Sequence, residues 1–101
     1  MVAVVPEPHR ATVTVNISGP LRAFCGGDDE MTLTAATLGD ALVEIERVRP
    51  RLHRAVCDET GRVRRHVNVY VNDLHMAERG GLRTALADGD VITLLPAVSG
   101  G

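Results

Sequence analysis

The residues best placed to do chemistry stand at the end of the 101-residue chain, Leu94-Leu95-Pro96-Ala97-Val98-Ser99-Gly100-Gly101. The apolar run Val91 to Leu95 reads as a buried strand, and Pro96, which has no N–H, ends its pairing. Two terminal glycines carry no Cβ, so the segment is thin enough to thread a narrow channel and present the Gly101 α-carboxylate inside a partner. That group ionises near pH ~3.5 and is a poor electrophile. Another protein would have to activate it, which makes Gly101 the expected reacting group and the upstream chain its carrier. A terminus that merely trails off in glycine is the competing reading.

Other chemistry-bearing residues converge less well. His53 and Cys57 stand four apart, a spacing that metal ligands use, but no further ligand lies near them and no metal site is expected. Cys25 and Cys57 match neither a CxxC redox pair nor a four-ligand zinc framework, and read as packing residues or exposed thiols in a reducing cytoplasm. His9, His66 and His75 are scattered and read as surface groups. There is no recognisable Ser/His/Asp or Cys/His motif, no phosphate loop and no defensible carboxylate pair, since Glu44 and Glu46 fall on different sides of a helix. An enzyme in its own right is not expected.

Composition narrows the field further. A formal charge of -2 and 45% hydrophobic residues fit one soluble domain with one modest core. Phe24 and Tyr70 are the only aromatics, so Val, Leu, Ile and Ala must build that core, and a base-stacking nucleic-acid surface is not expected. All eleven cations are arginine and lysine is absent. Arg47, Arg49, Arg51, Arg54, Arg62, Arg64 and Arg65 make the middle of the chain basic, either as a solvated face or as a patch for an acidic partner. No apolar stretch approaches membrane-spanning length, and residues 1–10, with Pro6 and Pro8 and no basic leader, read as a loose, flexible extension rather than a secretory signal.

The elements that must position the terminus follow from periodicity. Ala11 to Ser18 alternates, with Val13, Val15 and Ile17 on one side. Leu21 to Phe24 is expected to continue irregularly after Gly19-Pro20, and Glu30 to Ala35 forms a second strand. Thr37 caps a helix whose Leu38, Ala41, Leu42, Ile45 and Val48 share a stripe, and Asp40 weakly completes a capping box. Pro50 stops it or starts a new turn. Leu52, Ala55 and Val56 suggest a short second helical turn, and Arg62 to Asn72 alternates as a strand with Val67, Val69 and Val71 inward. Leu74 to Met76 reads as an edge strand, Leu82 to Ala87 as helical, and Asp88-Gly89-Asp90 as a tight turn into the last strand. The expected fold is α+β: a mixed four- to five-stranded sheet with one main helix across one face and the first and last strands as parallel neighbours, a β-grasp, ubiquitin-like arrangement. The domain spans residues 11–96, and residues 97–101 project as a tail. On the sheet face away from the helix, Tyr70 and one of Ile92 or Leu94 are expected to form a docking surface beside the tail.

The ordered segments Asn68-Val69-Tyr70-Val71-Asn72-Asp73, Gly80-Gly81-Leu82, Leu86-Ala87-Asp88-Gly89-Asp90 and the Gly-Gly end resemble the MoaD/ThiS family of prokaryotic sulfur carriers, and most of all its CysO branch in cysteine biosynthesis. The N-terminal extension and the arginine-rich segment depart from that pattern. The resemblance implies a carrier with no bound cofactor, whose Gly101 carboxylate is adenylated with ATP and Mg²⁺ by an E1-like enzyme of MoeB/ThiF type and converted to a thiocarboxylate. A downstream synthase would pass the sulfur to cysteine, a cofactor or a specialised metabolite such as a thiosugar. Ala97, Val98, Ser99 and Gly100 would thread into the partner, and the free carrier would be a cytoplasmic monomer. A molybdopterin synthase small subunit, a ubiquitin-like protein modifier and a β-grasp binding module with an incidental tail are the alternatives.

Overall fold

The computed structural model describes residues 10–96; all but Arg10 of the expected extension, and the expected tail Ala97, Val98, Ser99, Gly100 and Gly101, lie outside the described residues. Strand β1, Ala11–Ile17, pairs antiparallel with β2, Glu30–Ala35, with Val13 opposite Leu33. The link between them is a 3₁₀ helix, Gly19–Cys25, rather than an irregular extension. Pro20 suits its first turn because no N–H is required there, and Leu21 and Cys25 turn into the core.

Helix α1, Leu38–Val48, starts where the Thr37 hydroxyl accepts the Asp40 N–H at 3.2 Å. Its Leu38, Ala41, Leu42 and Ile45 are buried against one sheet face, each large side chain contributing about 1.5–3 kcal/mol on leaving water. Pro50 then opens a second helix, α2, Pro50–Val56, which buries Leu52 and Val56. The next strand is shorter than its alternation suggests: β3 covers only Val67–Val71. Val63 is instead held by a bridge to Cys57, and Arg64 to Val67 make a β-turn closed by the Val67 N–H donating to the Arg64 carbonyl at 3.0 Å.

The edge strand β4 is Leu74–His75, paired with β3. Of the segment expected to be helical, only Gly81–Arg83 makes a 3₁₀ turn. Beyond it Ala85 bridges Thr37, and the Leu86 N–H donates to the Ala36 carbonyl, so this stretch is extended and tied to the start of α1. Gly39 lets the Gly81–Arg83 turn approach α1 closely, because a Cβ there would meet the Leu82 carbonyl oxygen at 3.1 Å. Strand β5, Val91–Pro96, completes a sheet of order β2-β1-β5-β3-β4, with β5 parallel to β1 and antiparallel to β3. This is the β-grasp topology anticipated from the pattern.

The core is aliphatic. Ile17, Leu38, Ile45, Leu52, Ile92 and Leu94 are its largest fully buried side chains, and both cysteines are free and buried among their neighbours.

Candidate functional site at the end of the central strand

Strand β5 occupies the middle of the sheet, held on one side by β1 and on the other by β3. Its last residue, Pro96, lies opposite Val67, the first of β3. The chain therefore leaves the sheet at a point that both neighbouring strands fix, and residues 97–101 follow from there. A proline suits the last position of this strand, because it has no N–H to give to a further ladder bond.

The opposite end of β5 is tied down by short polar side chains. Asn72, at φ 55, adopts the left-handed conformation that asparagine tolerates better than most residues. Its Nδ2 donates to Asp90 Oδ1 at 3.0 Å, and its Oδ1 accepts the Val91 N–H at 3.0 Å. Asp90 Oδ2 accepts the Ala87 N–H at 2.9 Å, and Asp88 Oδ1 accepts the Thr12 N–H at 2.8 Å. The bonds that Asp90 accepts from Asn72, the larger cause, and from Ala87 hold its carboxyl below the usual carboxylate range. Gly89, at φ 88, supplies the turn. The clasp joins β1, β3 and β5 at one end, leaving the other to present the tail.

Inside and outside of β5 are the reverse of the expected docking surface. Ile92 and Leu94 have no exposed surface, because their side chains share the helix-facing side with Val69 and Val71, which they oppose across the ladder. Thr93 and Leu95 point outward, opposite Tyr70 and Asn68. Tyr70 is half-buried on that outer face, as expected, and Leu95, 36% exposed, is the apolar group beside the tail. Alternation alone missed Leu95 because Val91, Ile92, Leu94 and Leu95 are all apolar; the pairing partners decide the face.

One outer row crosses the sheet as Glu30, Asn16, Thr93, Tyr70 and His75. His75 Nδ1 accepts the Ala77 N–H at 3.1 Å, which leaves Nε2 to donate to Asn68 Oδ1 at 3.2 Å. The Tyr70 ring meets the imidazole edge to face, with centroids 5.3 Å apart. The result is a stiff, mixed surface of Leu95, Tyr70 and short polar groups beside the exit of the chain.

A concavity of about 540 Å³ lies on the helical side and is lined in part by Leu42, Glu46, His53, Cys57, Arg64 and Leu82. It does not assemble a nucleophile with a base. Burial pushes the Cys57 thiol up to about 11, His53 Nδ1 stands 3.4 Å from Glu46, and Asp58 Oδ1 is occupied by Thr60 and the Arg62 N–H. Among the described residues no group of three His, Cys, Asp or Glu is placed to hold a metal ion. Nor is any helix among them long and apolar enough to cross a membrane.

A five-stranded β-grasp whose central strand leads directly into a C-terminal Gly-Gly sequence has the architecture of a ubiquitin-like carrier. Comparison with known proteins makes the assignment. The ThiS family profile matches residues 15–101, and the chain belongs to that family. It is 41% identical over 91 residues to the sulfur carrier protein CysO of Mycobacterium tuberculosis, covering 88% of this chain and 98% of that protein. A chain of the Amycolatopsis orientalis BexX/CysO complex superposes with a TM-score of 0.79 and 36% identity, over 88% of this chain and 99% of its own. Small archaeal modifier protein 3 of Haloferax volcanii is 38% identical over 66 residues, 65% of this chain and 71% of that protein. By family the chain is a ubiquitin-like sulfur carrier, not an enzyme.

Proposed function

We propose that Gly101 is the sulfur-bearing residue and that the protein supplies sulfur for the biosynthesis of a small molecule, cysteine foremost. An E1-like adenylating enzyme of MoeB/ThiF type would use ATP and Mg²⁺. A carboxylate oxygen of Gly101 attacks the α-phosphorus, pyrophosphate leaves, and the acyl carbon gains a good leaving group. Hydrosulfide then attacks that carbon, AMP leaves with the C–O electron pair, and loss of a proton gives the thiocarboxylate. Ala97, Val98, Ser99 and Gly100 would line the partner's channel, and the outer face around Tyr70 and Leu95 would rest on the partner's surface. The downstream synthase chooses the acceptor, so a cofactor or a thiosugar-type metabolite fits the same carrier chemistry.

The likeness to the sulfur carrier CysO across nearly the whole of that protein carries this reading. The complex of a CysO with BexX supports docking on a partner enzyme. Two buried free thiols suit a reducing cytoplasm. The test is intact mass after incubation with ATP, Mg²⁺, sulfide and the E1-like enzyme of the same cell, beside a copy lacking Gly101. The expected result is a gain equal to replacing one oxygen by sulfur, localised to Gly101 and absent from the truncated copy; an unchanged mass overturns the proposal.

A second reading, a protein modifier, is favoured by the likeness to small archaeal modifier protein 3. Because the chain has no lysine, such a modifier could not build chains on its own side-chain amines. An isopeptide adduct between Gly101 and a target lysine would select this reading over small-molecule sulfur transfer.

A further inference from the structure

The modest net charge conceals a strong separation. From Arg47 to His66 seven arginines accompany two acids, Asp58 and Glu59, whereas the remaining four arginines share the chain with eleven acids. Of those seven, only Arg47 and Arg49 stand within ion-pair distance of an acid among the described residues, Arg47 with Glu44 and Arg49 with Asp28 at 3.7 Å. Arg51, Arg54, Arg62, Arg64 and Arg65 are exposed.

The fold carries part of this charge to the exit of the tail. Arg65 and His66 form the tip of the turn that ends at Val67, and Val67 lies opposite Pro96. The turn is braced against α2: the Arg64 N–H donates to the Val56 carbonyl at 2.8 Å, and Arg64 Nε donates to the Arg54 carbonyl at 2.9 Å. Arg54, Arg64 and Arg65 thus stand on one connected ledge on the β3 side of the exit. The other flank is acidic. Asp28, Asp29 and Glu30 lead into β2, two strands away from β5, with the Asp29 carbonyl accepting the Ile17 N–H at 2.8 Å.

We infer that the ledge of Arg54, Arg64 and Arg65 is a docking surface for an acidic lip beside the tail-receiving channel of the activating enzyme. The inference rests on the carrier reading above. Its chemistry is charge complementarity. Guanidinium groups beside the tail attract partner carboxylates, and the acidic flank repels them, so the two together fix the rotation of the carrier about its tail. A polyanion such as nucleic acid fits poorly, because the same end of the molecule presents Asp28, Asp29 and Glu30.

The test compares the full chain with Arg54→Glu/Arg65→Glu, Arg54→Lys/Arg65→Lys and Arg79→Glu/Arg83→Glu, in ATP-dependent thiocarboxylate formation by the E1-like enzyme of the same cell. Neither Arg54 nor Arg65 makes a side-chain hydrogen bond among the described residues, and thermal melting confirms that each variant is folded. The Arg79/Arg83 pair provides equal charge reversal away from the ledge, with Arg79 near Asp90 of the clasp and Arg83 in the Gly81–Arg83 turn. At low salt kcat/KM should fall about tenfold for Arg54→Glu/Arg65→Glu with kcat unchanged, the lysine variant should retain most of it, and the gap should close at about 0.5 M salt. Equal losses in the two reversal variants, or a loss that persists at high salt, overturn the ledge while leaving the carrier intact. Failure of the unaltered chain to be modified overturns the carrier reading, and the ledge with it.

Discussion

Leu94 and Leu95 are neighbours in sequence with opposite surroundings, and alanine at each position should have opposite consequences. Leu94 is fully buried between Ile17 and Val69, its partners on β1 and β3. Leu94→Ala leaves a cavity in a rigid part of the core and should cost about 3 kcal/mol. For a domain near this size each kcal/mol moves Tm by about 4–8 °C, so a fall of roughly 12–24 °C is expected. Leu95 is 36% exposed on the other face. Covering its exposed third in a complex is worth about 0.5–1 kcal/mol, given about 1.5–3 kcal/mol for a whole leucine side chain. Leu95→Ala should therefore lower kcat/KM for thiocarboxylate formation roughly two- to fivefold, while costing no more than about 1 kcal/mol of stability. Differential scanning calorimetry and initial rates, measured where both variants are folded, separate the two effects. A larger loss of Tm in Leu95→Ala would refute the assignment of faces, and an unchanged kcat/KM in that variant would refute the docking role of the outer surface.

Further expectations concern the clasp and the buried thiols. Asn72→Ala removes two side-chain bonds and strains a left-handed backbone, so chemical denaturation should show a loss of about 2–3 kcal/mol, whereas Asn72→Gly keeps the conformation and should lose less. The depressed Asp90 carboxyl contributes stability that is present above the unfolded-state value near pH ~3.9 and is lost as pH falls through the lower folded value. Tm should drop more steeply in acid for the native chain than for Asp90→Asn, and parallel curves would remove Asp90 as a cause. Burial raises both thiols, Cys57 to about 11, so iodoacetamide at pH 8 should label Cys57 only on unfolding; rapid labelling of the native chain would contradict that burial.

Periodicity exposed most of the fold because each of the long elements has one wet and one dry face. Val13, Val15 and Ile17 in β1, Val67, Val69 and Val71 in β3, and the Leu38 to Ile45 stripe of α1 all repeat at the period of their structure and all are buried. Where that condition fails, the pattern misleads. Val63 alternates with Arg62 and Arg64 as if it extended β3, yet it bridges Cys57, because the backbone of this stretch is claimed by Val56 and Asp58. Leu21 and Cys25 stand four apart in a short segment opened by Pro20, a helical spacing too brief to outweigh an extended reading.

The outer face at β5 was illegible for a different reason, and it bears on function. A strand that is apolar at Val91, Ile92, Leu94 and Leu95 carries no alternation, so the sequence leaves its inner side undetermined. Only the partners resolve it: Leu94 lies opposite Val69, which the helices cover, and Leu95 lies opposite Asn68, which they do not. An isolated sheet domain gains less from leucine at such a position than in the core, and a threonine like Thr93 would also suit the strand and the solvent. Leu95 retains an exposed apolar surface at the point where the chain leaves the sheet, next to a turn carrying Arg65 and His66. An apolar grip beside Arg65, which has no acid within ion-pair distance among the described residues, would suit a surface that a partner covers in the proposed tail activation and then releases. Under the proposed function, affinity would then reside in a small buried patch and orientation in charge, and the carrier would leave once its terminus had reacted.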